Sequence, residues 1–131
     1  MNITIKDFVH LLSQKDLAYG HARGWLEDQD ERFCDNPLDR RTAARIIHRY
    51  IKIELRIPDL PDISAANVLA DLYTCRACVN DVAQVFLRGI MQAREVEQDG
   101  KIFEIFDMGG LVTQDEVSKL MHAFASVCSS I

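Results

Sequence analysis

Cys75 and Cys78 form a Cys-x-x-Cys, a spacing that can hold zinc or exchange disulfides. Zinc needs four ligands, and no second pair stands at a suitable distance. A redox motif normally follows a strand and has Gly or Pro in its interior, and neither is present. The pair therefore reads as two small residues on a buried helix. Cys34, Cys75, Cys78 and Cys128 are expected to be free thiols without metal. His10, His21, His48 and His122 are scattered, and none joins a recognisable Ser, Cys or Asp constellation. Gly109-Gly110 is too short for a phosphate loop. Asp28 and Asp30 begin like an EF-hand, but no Gly follows at the turn and no Glu closes the loop. Glu27 to Glu31 then reads as a solvated acidic loop. No catalytic signature of any class appears, so the chain reads as non-enzymatic, with no cofactor and no metal.

The arginines offer more. Asp39 is a good N-cap, which puts Arg40 in the first turn of a helix. A cation there opposes the helix dipole and adds nothing to stability. Beside free N–H groups it can hold an anion instead. Arg41, Arg45, Arg49, Lys52 and Arg56 continue along one face at three- and four-residue steps. Arg40, Arg41 and Arg45 are thus the candidate ligand-binding residues. The plainer reading of the stripe is a solvated helix face. A net charge of −5 argues against nucleic acid as the main partner.

These residues must be positioned by helices. Apolar spacing predicts a first helix over Ile5 to Tyr19 and a second from Asp39 to about Arg56, with Ala43, Ile46, Ile47 and Tyr50 facing the core. Pro58 and Pro61 make a linker. Asp62 or Ser64 caps a third helix carrying Ala66, Leu69, Leu72 and Tyr73. The run from Val79 to Ile90 is apolar nearly all round and should be the most buried. Gln92 to Lys101 is charged and holds the turn signal Asp99-Gly100. Ile102 to Phe106 is a short strand or an extended segment packed on the core. Thr113 and Glu116 have capping-box spacing, and the last helix buries Val117, Leu120, Met121 and Phe124.

Part of this occurs twice. Gly24-Trp25-Leu26 leads through a polar run to Phe33, Pro37 and the Asp39 helix start. Gly89-Ile90-Met91 leads to Phe106 and the start at Thr113. The doubled pattern resembles the S-layer homology repeat of bacterial cell-surface proteins. Asp71-Leu72 falls where that repeat has Asp-Val, and Arg76-Ala77-Cys78 where it has His-Trp-Ala. Gly89-Ile90 matches Gly-Ile, Phe106 the loop Phe, and Thr113 to Glu116 the Thr-Arg-Ala-Glu helix start. The matching Arg is Arg40 in the first copy; Gln114 replaces it in the second. The family has three repeats, and two are found. The resemblance implies a bundle in which the Arg meets an acidic, pyruvate-bearing wall polysaccharide.

The expected fold is therefore all-α: one domain over 1–131, with about five helices in two helix-loop-helix units at 2–56 and 62–128. Two units should leave an apolar face for a partner or a second copy. One functional expectation is a binding module for an acidic cell-wall polysaccharide. The other is a cytosolic helical interaction or scaffold module that has lost glycan binding. The N-terminus does not read as a signal peptide, and irregular cysteines suggest a reducing compartment. A cell-surface location follows only if the chain is an excised domain. No run is apolar enough to span a bilayer.

Overall fold

The computed structural model describes residues 2–129. The elements are α1 (Ile5–Ser13), α2 (Leu17–Arg23), α3 (Asp28–Arg32), α4 (Arg40–Ile53), α5 (Val79–Leu87), β1 (Arg94–Gln98), β2 (Lys101–Ile105) and α6 (Gln114–Ser129). The fold is mixed, which corrects the all-α expectation. The charged run after Met91 does not stay a loop. It pairs antiparallel with Lys101–Ile105, Val96 facing Phe103. Asp99 and Gly100 both take positive φ (53° and 76°), the two-residue turn that suits the twist of a hairpin. The two strands share one row of backbone hydrogen bonds, and Ala70 N–H donates to the Glu104 carbonyl at 2.9 Å. Of the two expectations for Ile102 to Phe106, the strand holds, and packing on the core does not hold for Ile102, which is 68 % exposed.

Three further expectations need correcting. The first helix is two: Gln14 turns left-handed at φ 60°, and Asp16 caps a new start by accepting from Tyr19 N–H at 2.8 Å. The predicted helix after Pro61 is only 3-10 turns at Ser64–Val68, Leu72–Thr74 and Arg76–Cys78. Asp71 explains part of this, because its carboxylate accepts from Phe106 N–H and Asp107 N–H at 2.7 and 2.8 Å and commits the segment to that loop. Cys75 and Cys78 are joined in a disulfide; the free cysteines are Cys34 and Cys128. The last 3-10 turn brings the two Cα atoms to 5.2 Å, well within disulfide reach.

The helix starts define the architecture. Thr4, Asp39 and Thr113 each accept, through a side-chain oxygen, from the N–H three residues on. Each follows a buried apolar residue: Ile3, Leu38 and Val112. Isolated bridges connect Thr4 with Pro37, Asp39 with Leu111 and Asn2 with Thr113, so the three starts close a ring. The backbone repeats in detail. Ile5 and Lys6 N–H donate to Asn36 and Cys34 carbonyls, as Arg40 and Arg41 N–H donate to Gly110 and Met108 carbonyls. The N-terminal segment thus joins the ring as a third helix start of the same kind.

The paired turns match as well. Gly24 and Gly89 take positive φ (91° and 73°), and the next two N–H groups reach back to one carbonyl, Gly20 in the first copy and Val85 in the second. Trp25, Leu26, Ile90 and Met91 then bury into the core with Phe8, Ile46, Ile47, Val82 and Phe106. Trp25 stands edge-on to Tyr50, which in turn touches Phe124. The core therefore runs through both repeats. Among the described residues no helix is long and apolar enough to cross a membrane.

Candidate functional site

Arg40 is not at the surface. It is completely buried, with its guanidinium carbon 4.6 Å from the centroid of the Phe106 ring. Its Nε donates to the Phe106 carbonyl at 2.7 Å, and its other two nitrogens donate to the Gln92 carbonyl and the Glu116 carboxylate. Burial, and then the Arg94 charge, lower it to about 10, so it remains a cation at neutral pH. Nor are the N–H groups of the α4 start free. Those of Arg40 and Arg41 go to Gly110 and Met108, and that of Thr42 goes to Asp39. The predicted anion site at Arg40 is therefore absent. The residue instead ties α4 to the second repeat's loop and to α6.

Glu116 makes only half of the expected capping box. Its N–H donates to the Thr113 hydroxyl at 3.2 Å, but its carboxylate is held by Arg40 and Arg94. Asp39 caps α4 as expected and also accepts from the Thr42 hydroxyl.

The open chemistry lies one step along α4. Arg41, Thr42, Arg45 and Arg49 line a groove of about 350 Å³ together with Glu27, Asp30, Phe33, Cys78 and Asp81. Arg45 sits in a two-pronged pair with Asp30 at 2.7 and 2.8 Å. Burial alone would lower the Arg45 guanidinium, but its bonds to Asp30 prevail and raise it. Arg49 donates to Glu27 at 2.9 Å. The acidic run is thus a short helix that locks two arginines in place. Arg41 is exposed and has no side-chain partner among the described residues. Phe33, at 49 % exposure, presents an aromatic face at the same groove.

Corresponding residues on the other two helix starts line grooves of their own. On α6 these include Asp115, Glu116 and Lys119; on α1 they include Lys6, Asp7 and His10. Only the α4 groove carries three arginines.

Behind this groove lies a cluster that the sequence did not disclose. His48 is buried, with Nδ1 2.6 Å from Asp81 and Nε2 2.6 Å from Asp59. Carboxylates at both nitrogens favour the doubly protonated imidazole, which can donate to each. Burial works against that charge, but the bonds to Asp81 and Asp59 prevail and raise His48 above its usual range. Gln84 clasps the same linker, accepting from Leu60 N–H and donating to its carbonyl. Asp59, Asp81 and Gln84 are distant in sequence from His48, so no local spacing pointed to them. Among the described residues no group of three or more His, Cys, Asp or Glu is arranged to hold a metal ion. No family model, curated protein or solved structure matches the chain.

Proposed function

We propose that the chain is a non-enzymatic binding module, similar to the S-layer homology repeat, whose α4 groove takes an acidic saccharide of the cell-wall type. The observation that carries this reading is an Arg41 with no side-chain partner among the described residues, in the same groove as Phe33, with Arg45 and Arg49 already oriented by acids. Planar, pre-set guanidinium and carboxylate groups suit the hydroxyls of a sugar, and a fixed side chain loses little entropy on binding. Arg41 would meet the ligand's carboxylate, and Phe33 would lie against a ring face. Arg40 is buried against Phe106, Gln92 and Glu116, outside the lining of this groove, and does not touch the ligand.

The test is sedimentation with purified acidic wall polysaccharide at low salt. Arg41→Ala should weaken retention about tenfold or more, the worth of one charge-assisted hydrogen bond. It should leave the melting temperature unchanged. If the unsubstituted protein does not sediment with the polysaccharide, the glycan reading fails. A protein-interaction module is the second reading, favoured by the exposed apolar residues Val96, Ile102 and Phe103 on the hairpin.

A further inference from the structure

We infer that Cys75 and Cys78 form a redox-active dithiol–disulfide pair that exchanges with small-molecule thiols, with Cys75 as the sulfur attacked. A disulfide stabilises a fold chiefly by closing a long loop in the unfolded chain. This one joins residues only three apart, where that gain is smallest. Cys78 itself belongs to the core that holds Leu72, Val82, Val85 and Phe106, and Cys75 packs against it, so apolar burial also contributes to fixing this segment.

The two sulfurs are unequally placed. Cys75 is half-buried and reachable, whereas Cys78 is 8 % exposed and stands at the N-terminal end of α5. A thiolate at a helix N-terminus is stabilised by the positive end of the dipole, which makes it the better leaving group. Asp81 in that first turn would oppose it, but its carboxylate is taken by His48. Cys78 also lines the α4 groove, where Arg45 and Arg49 are already paired with Asp30 and Glu27 and Arg41 is the cation without a side-chain partner among the described residues.

The chemistry balances as ordinary exchange. A small thiolate attacks Cys75 Sγ, the Cys75–Cys78 bond breaks, and Cys78 leaves as a thiolate. A second small thiolate attacks the small-molecule sulfur of that mixed disulfide and releases Cys75. Two external thiols become one disulfide, and the protein takes up two electrons. Oxidised glutathione reverses both steps.

The folded protein is equilibrated in glutathione buffers of varied reduced-to-oxidised ratio, acid-quenched, alkylated and mapped by peptide mass. The pair should open and close across the series without denaturant. Cys78→Ser should accumulate glutathione on Cys75 at least tenfold above the level on Cys78 in Cys75→Ser. If either variant fails to fold, pulsed alkylation of the reduced native protein replaces it, and Cys75 should react well before Cys78. A bond that opens only in denaturant would overturn the inference. So would a pair that oxidised glutathione never closes, or equal reactivity of the two sulfurs.

Discussion

α4 and α6 begin alike and end in different surroundings. Leu38 to Tyr50 corresponds residue for residue to Val112 to Phe124, through the same buried residue, side-chain cap and core face. Yet Arg40 is buried where its counterpart Gln114 is exposed, and His48 lies between two aspartates where its counterpart His122 is exposed. Arg41 and Arg45 correspond to Asp115 and Lys119. The difference lies in what surrounds each helix. α4 is flanked by α3, the proline linker and α5, each of which supplies a carboxylate or carbonyl to its polar residues. Among the described residues of α6, Glu116 alone is ion-paired, with Arg40 and Arg94. One backbone frame thus carries two chemistries, and the shared frame identifies only the shared apolar and capping positions.

The largest effect should come from Arg40→Ala. It leaves Glu116 and the Phe106 and Gln92 carbonyls without their donor, so it should cost about 3–5 kcal/mol in denaturant unfolding. Gln114→Ala should stay within about 0.5 kcal/mol. Equal costs would mean that Arg40 does not tie the repeats.

Gly20→Ala comes next, and its sign runs against helix propensity. An added Cβ would lie 2.7 Å from Leu26 and 2.8 Å from Trp25, so overpacking should cost about 1–3 kcal/mol. The corresponding residue of the second copy is Val85, which its smaller neighbour Ile90 tolerates. A stabilised Gly20→Ala variant would mean that Trp25 does not fill this space.

Asp39→Ala and Thr113→Ala should each cost about 1 kcal/mol through the lost cap. A cost at only one of them would break the equivalence of the two starts.

The last contrast is one of pH. His48 titrates above its usual 6.5 in the folded state, so its contribution is complete below that value and is lost as pH rises through the raised one. For Asp59, burial opposes the charge, but the His48 and Asn80 bonds prevail and lower it below 3.8. Its contribution is present above that value and is lost as pH falls through the lowered one. Stability should therefore peak between the two, in mildly acidic solution. His48→Gln should flatten the alkaline limb of the melting temperature against pH, and His122→Gln should not. A limb unchanged in His48→Gln would remove the cation between the aspartates.

The sequence by itself determined what depends on residues a few positions apart. Helical spacing marked α4, α5 and α6, Asp39 and Thr113 announced their caps, and Gly24 and Gly89 their paired turns. Asp99-Gly100 announced a turn and Ile102 to Phe106 a short strand or extended segment, but nothing announced β1, because an exposed strand that carries charge looks like a loop. The tertiary structure alone decided which polar residues are inside. Arg40 reads as an exposed cation until Phe106 and Glu116 fold over it. The acidic run reads as solvated until Asp30 meets Arg45. The helix start at Thr4 carries no repeat of its own, and although a helix from Ile5 was legible, its place in the ring shows only where Pro37 pairs with Thr4. A buried charge is stable only with partners, and here those partners come from distant parts of the chain, beyond the reach of any local pattern.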